Sequence, residues 1–326
     1  MKRLTAAAAL LALLPIQSFA EQPAPDPLAF VDPMIGTGPE GHTFPGATAP
    51  FGMVQLSPDT DATCQIRDCY DHAAGYSYHD PTIQGFSHTH FSGAGHSDLG
   101  DILVMPQVGP VNSVKLDPGD PAKPGSGYRQ RFDHASEKAS PGYYAVTLAD
   151  SGIRAELTAG TRVGVHRYSF PAGKQAHLLL DLRSSLYDYP GKILWSGLHL
   201  RPDGTLTGFR ETRGWAPGRK LFFAMRFSAP LKGHAFLDRD EKIPYKGFHP
   251  PGRGSDALAE KLGKALEARL DFGALTGPLE VRVALSGVDE AGAVANLHAA
   301  EKKAGGAGID SVRARTEDEW RKALGA

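Results

Sequence analysis

Between Phe86 and Asp101 the sequence FSHTHFSGAGHSDLGD sets imidazoles and carboxylates at close spacing. On a strand, His88 and His90 point the same way, so both could reach one metal ion. His96, Asp98 and Asp101 offer further ligands, and a zinc site takes three or four with supporting hydrogen bonds. A metal-binding small hydrolase built on His88, His90, His96 and Asp98 is therefore one reading. His-x-His alone is weak evidence, and the favoured reading is a hydrogen-bonding histidine pair on a ligand-facing loop.

Other chemistries find less support. There is no Gly-x-Ser-x-Gly elbow, no Ser/His/Asp order that stands out and no Walker loop or dinucleotide fingerprint. Gly93-Ala94-Gly95 is too short to serve as one. Cys64 and Cys69 are the only cysteines. In an oxidising compartment they are free to pair, and the bond would fix Arg67 and Asp68 inside a small loop. Half of a metal site is the alternative, weakened by the lack of a Cys-x-x-Cys partner. Neither is a convincing nucleophile, because each has a neighbour to oxidise with. Glycoside hydrolysis needs two carboxylic acids facing each other across the scissile bond, and no such pair can be nominated.

Sugar recognition asks for something else. Planar aromatic faces meet the C–H patches of the ring, and Asp, Arg, His and backbone amides meet its hydroxyls. Arg67, Asp68, Asp71, Tyr76, His88, His90, Trp195 and Trp215 supply that mixture. Most of them fall in one stretch, Val31 to Asp101, which holds six of the thirteen histidines and both cysteines. Gly, Pro, Ser and aromatic residues fill the rest of it. Such loops are poor core material and good material for a rigid surface that meets a polar ligand.

The elements that position this stretch are short strands. Tyr143–Leu148, Ile153–Thr158, Val163–Phe170, His177–Leu182, Leu221–Phe227 and Leu279–Leu285 alternate, with turn signals between them. That pattern predicts a mainly β chain folded as a large antiparallel β-sandwich from residue 30 to 287. Within Ser255–Phe272 the second half is expected to be a strand, and the first half is ambiguous. After Ser286 the texture changes to helix. Asp289 could cap one helix through Lys303, and Asp310 a second with Val312, Thr316, Trp320 and Leu324 on one face. That face either packs back on the sandwich or leads to a further domain, in which case Trp320, Leu324 and the face bearing His88 and His90 should stand exposed.

The ends and the charge bound the setting. Lys2-Arg3, the apolar run TAAAALLALLPI and Ser18-Phe19-Ala20 read as a signal peptide over residues 1–20, followed by a Pro-rich leader over 21–29. The chain is thus expected to be exported, periplasmic or extracellular, with no membrane span. A net charge of −1 argues against nucleic acid or an anionic membrane as the main partner.

The segments GHTFPGATAPFGMVQLSPDT, CQIRDC, AGYSYHD and GFSHTHFSGAG resemble the N-terminal domain of glycoside hydrolase family 92. The resemblance continues through SPGYYAVTLADSGIRAELTAGTRVGVHRYSFP, GFRETRGWAPGRKLFFAMRFSAP and VRVALSGVDEAGAVANLHAAE, in order. SVRARTEDEWRKALG is similar to the helical linker ahead of the family's second domain. The family consists of calcium-dependent, inverting exo-α-mannosidases. The resemblance implies a galactose-mutarotase-like supersandwich, followed over 288–326 by a linker towards an (α/α)6 barrel. Acid, base and most calcium ligands belong to that barrel, so the resemblance assigns no catalytic or metal residue here and implies a chain inactive alone. It implies a mannose-containing glycan as ligand and a separately encoded barrel as a partner. Thr43, Phe44, Pro45, Gly46, Arg67, Asp68, Cys69, Gly75, Tyr76, Ser87, His88 and His90 match the family's sugar-binding positions. A stand-alone carbohydrate-binding module is the alternative. Family members often carry a tryptophan before the CQIRDC-like segment, where this chain has Asp61-Ala62-Thr63.

Overall fold

A computed structural model describes residues 25–38, 41–61, 69–93, 99–186, 189–240, 259–303 and 308–325. The expected signal peptide, the Cys64–Cys69 pairing, Arg67, Asp68, His96 and Asp98 lie outside the described residues. Among the described residues no helix is long and apolar enough to cross a membrane.

Two antiparallel sheets face each other. The seven-stranded sheet runs in the order Ala47–Thr48, Gln55–Asp59, Gly85–Ser87, Leu103–Val108, Gln175–Asp181, Leu266–Ala274, Gly233–Asp238. The nine-stranded sheet is ordered Glu260–Gly263, Ile193–Leu200, Leu206–Thr212, Arg219–Phe227, Leu279–Ser286, Val163–Ser169, Ile153–Ala159, Tyr143–Leu148, Lys138–Ser140. The expected mainly β sandwich is the observed architecture, and the six expected strands are present with ends within two residues. Leu266–Ala274 is a strand, and so is Glu260–Gly263 in the part left ambiguous.

Alternation explains both faces of the nine-stranded sheet. In Val163–Ser169 the even positions, Gly164, His166 and Tyr168, turn towards the opposite sheet, where Tyr168 joins Leu56, Phe86, Val104, Leu157 and Val281 in the main core. The odd positions Val163 and Val165 turn outwards with Ala224 and Ala284, and the two C-terminal helices cover them. These are α1 (Glu290–Lys303) and α2 (Ile309–Leu324). Each large aliphatic side chain buried this way contributes roughly 1.5–3 kcal/mol.

Asp289 caps α1 as expected, its Oδ1 accepting the Gly292 amide at 2.6 Å. Asp310 does not cap α2. Gly308 holds the cap position, and Asp310 pairs with Arg167 at 2.5 Å instead. The sandwich takes up the apolar face of α2. Val312 and Thr316 are buried, Thr316 donates to Ala159 O at 2.8 Å, and Trp320 Nε1 donates to Thr48 O at 2.7 Å. Trp320 is thus half-buried, contrary to the exposure expected of it, while Leu324 is exposed.

Candidate functional site

The Gly85–Ser87 strand stops just before the two histidines, so the period-two rule does not carry His88 and His90 to a common ion. Each ring goes its own way. His88 Nδ1 lies 2.7 Å from Ile102 O, an obligate acceptor, so that nitrogen carries the proton. Its Nε2 must then accept from His166 Nε2, 2.9 Å away. His166 Nδ1 in turn accepts from the Tyr168 hydroxyl at 2.8 Å. The chain Tyr168, His166, His88, Ile102 is closed by these bonds and fully buried. Burial lowers the His88 pKa to about 4, and burial with the neighbouring His88 ring holds His166 well below the usual imidazole range. Ile102 takes up φ 60° where it presents its carbonyl, a backbone region a branched residue rarely adopts.

His90 is pinned between acceptors. Its Nδ1 is 2.8 Å from Gln55 O, and its Nε2 is 2.9 Å from Asp59 Oδ1 and 3.3 Å from Ser87 Oγ. Gly75 makes room for this pair. It sits at φ +85°, and a Cβ there would lie 2.3 Å from Asp59 Oδ1. Gly46 fits as tightly on the Gln55–Asp59 strand, where a Cβ would lie 2.4 Å from Leu56 O. That contact fixes the Thr43-Phe44-Pro45-Gly46 turn, and Phe44 tilts over His90 with centroids 5.1 Å apart. Asp59 Oδ2 and His42 Nδ1 are buried and have no hydrogen-bond partner among the described residues.

Tyr76 is held by a carboxylate that sequence reasoning did not nominate. Glu137 accepts from the Tyr76 hydroxyl at 3.1 Å and the Tyr144 hydroxyl at 2.5 Å, and meets His134 Nδ1 at 2.5 Å. Burial first, then Glu137, pushes the Tyr76 phenol far above its ordinary range. Tyr78 stacks on His134 at 3.9 Å and 12°. The candidate metal ligand Asp101 serves as an anchor. It accepts from Thr89 Oγ1 at 2.6 Å and pairs with Arg210 at 3.1 Å and Arg219 at 2.7 Å. Burial alone would raise its pKa, and the two guanidinium groups outweigh this and hold it below the usual carboxylate range.

These groups form a buried frame under an exposed layer. Ser87, His88, His90, Gly75, Tyr76, Pro45 and Gly46 are buried, so the expected exposure of the His88/His90 face is corrected. Thr43 and Phe44 are half-buried, and Cys69 opens the turn Cys69–His72. Tyr70, Tyr78 and Phe91 are exposed. Tyr70 stands edge-on to His42 at 4.0 Å, and His42 itself holds φ 49°. Trp195 and Trp215 are also exposed, on and beside the Ile193–Leu200 and Leu206–Thr212 strands. Among the described residues no three His, Cys, Asp or Glu side chains are placed to hold one metal ion.

Asp59, Glu137 and His166 were missed because their partners are 31, 61 and 78 positions away in the chain. One signal was available for His166. It shares an inward-facing parity with Tyr168 in a strand legible from sequence.

The chain matches the model for the glycosyl hydrolase family 92 N-terminal domain over residues 30–286. A family GH92 α-mannosidase from Bacteroides thetaiotaomicron, solved with mannoimidazole, is 37% identical with a TM-score of 0.81, covering 92% of this chain and 37% of that one. A family GH92 inverting mannosidase from Bacteroides thetaiotaomicron VPI-5482 shares the fold at 22% identity and a TM-score of 0.67, over 92% and 36% of the two chains. An uncharacterized secreted glycosidase of Arthroderma benhamiae is 29% identical over 95% of this chain and 39% of its own length. The chain thus spans less than two fifths of the length of these relatives.

Proposed function

The chain belongs to glycoside hydrolase family 92, whose N-terminal domain it carries, and we propose that its Val31–Asp101 stretch forms one wall of a pocket for the terminal mannose of a glycan. The observation that carries this reading is the seating of Phe44. Phe44 is half-buried, and its ring tilts over an imidazole whose two nitrogens are both held by protein oxygens. An aromatic face fixed in this way meets the C–H side of a pyranose without first losing side-chain freedom. Thr43, Tyr70 and Phe91 extend the wall, and the Arg67-Asp68 loop is proposed to add hydrogen bonds to it.

His42 fits the same reading. It combines a left-handed backbone with a buried nitrogen that lacks a partner among the described residues. Strain and an unsatisfied polar atom gather where a ligand completes the site. The acid and base for an inverting hydrolysis are proposed to reside on the part of the family's length that this chain does not align with. A role in glycan degradation outside the cytoplasm is supported by the relative described as secreted. Calorimetric titration with α-mannobiose, comparing the natural chain with Phe44→Ala, tests the proposal.

A further inference from the structure

A cavity of about 590 Å³ opens at the end of the Gln175–Asp181 strand, and from the Val31–Asp101 stretch it takes Gln84 alone, not the Phe44 surface. Its size is that of an ordinary small-molecule site. Gln84, Tyr128, Asp181, Ser184, Ser185 and Tyr189 line it. All but Tyr189 are buried, so the hydrogen-bonding groups sit at the bottom and an aromatic ring stands at the mouth.

The charges around this cavity answer one another. Asp181 accepts from the Tyr128 hydroxyl at 2.9 Å and from the Arg183 amide at 2.8 Å. The Arg183 guanidinium contacts both Asp181 and Glu267. Arg239 lies 3.8 Å from Glu267 and 2.9 Å from Asp117. Lys192 Nζ donates to Leu186 O. With Asp240 and Lys264 also in the lining, carboxylates and cations are mixed around the cavity and neither sign stands alone. The weakly held groups are hydroxyls. Ser184 Oγ accepts from Gln84 at 3.4 Å, and Ser185 Oγ donates to Leu99 O at 3.3 Å, both at the outer limit of a hydrogen bond. A ligand hydroxyl can take these places at little cost.

The mouth is aromatic and stiff. Tyr189 is 40% exposed, its hydroxyl donates to Arg213 O at 3.0 Å, and the Lys192 ammonium lies 5.5 Å from its ring centroid. Arg213 leads into the turn that carries Trp215, which is 77% exposed. Trp195, 40% exposed, follows the lining residues Ile193 and Leu194 on the same strand. An exposed tyrosine ring over buried hydroxyls marks a surface for a ligand with both apolar and hydroxyl faces.

We propose that this cavity is a second saccharide-binding site, for a neutral pyranoside stacked on Tyr189 with its hydroxyls directed to Ser184, Ser185 and Asp181. The proposal rests on the reading that this chain meets glycans. The test is calorimetric titration of the whole chain with mannotriose, comparing the natural chain with Phe44→Ala, Tyr189→Ala and Asp240→Ala, each checked for an unchanged melting transition. Asp240 is an exposed lining residue and guards against misfolding of the Tyr189 variant. The expected result is two binding events, one of which weakens at least tenfold in Tyr189→Ala and less in Asp240→Ala. Phe44→Ala should weaken the other. One event removed by Phe44→Ala and untouched by Tyr189→Ala overturns the second site and leaves the mannose wall standing. One event removed by Tyr189→Ala alone upholds the second site and overturns the wall. No binding at millimolar mannotriose contradicts both.

Discussion

His88 Nε2 and His166 Nε2 lie 2.9 Å apart, across the two sheets of the sandwich and 78 positions apart in sequence. The contact ties the segment that carries the candidate wall to the centre of the opposite sheet. Because Ile102 O fixes the proton on His88 Nδ1, His88 must be neutral for its Nε2 to accept from His166, and burial keeps His166 neutral as well.

Acid should therefore weaken the fold through this pair. His88 has a pKa of about 4 in the folded chain against 6.5 when exposed. Between those values the unfolded chain binds a proton that the folded chain does not. The contribution is fully present above about pH 6.5 and declines as the pH falls towards 4, by about 3 kcal/mol for His88 alone. His166 acts in the same direction. Urea midpoints should fall between pH 7 and pH 4.5, with a shallower fall in His166→Gln. Equal slopes for the two proteins would contradict the assignment.

Gly75→Ala should be costly. The new methyl group would meet Asp59 Oδ1, and φ +85° disfavours any side chain. We expect a loss of roughly 1–3 kcal/mol in urea unfolding, with reduced mannobiose binding because Asp59 can no longer hold His90 in place. A change below about 0.5 kcal/mol would show that the Asp59–His90 pair is not a fixed part of the frame.

Glu137→Ala leaves the hydroxyls of Tyr76 and Tyr144 without their common acceptor. Buried donors stranded in this way cost about 1–3 kcal/mol each. The melting temperature should drop by several degrees, and Glu137→Gln, which keeps an acceptor, should recover part of the loss. Equal melting of Ala and Gln variants would refute the hydrogen-bond account.

The Trp320–Thr48 bond predicts a local effect. In Trp320→Ala, hydrogen exchange should quicken across Ile309–Leu324 while Leu279–Ser286 keeps its protection. Unchanged exchange in α2 would mean that Trp320 does not fasten the helix.

The strands were legible because half-buried sheets impose alternation, and Tyr143–Leu148 was read to its ends. Asp289 was legible as a cap because its side chain acts within three residues. His88 and His90 are hydrogen-bonding residues as favoured, and they do not share one direction for a local reason: strand geometry ends at Ser87, one residue too early for the i, i+2 rule. Asp310 resembled a cap, but Arg167, 143 positions away, competes for its carboxylate. The frame as a whole depends on such distant pairings. Asp59 with His90, Glu137 with Tyr76 and His166 with His88 arise from sheet register, which a single sequence does not display.

Phe44 and the residues around it are proposed to meet a mannoside. Calorimetric titration with α-mannobiose tests it most directly. Binding to the natural chain should weaken about five- to tenfold in Phe44→Ala, with an unchanged melting transition. Equal affinity for the two proteins, or no heat from either at millimolar sugar, would contradict it.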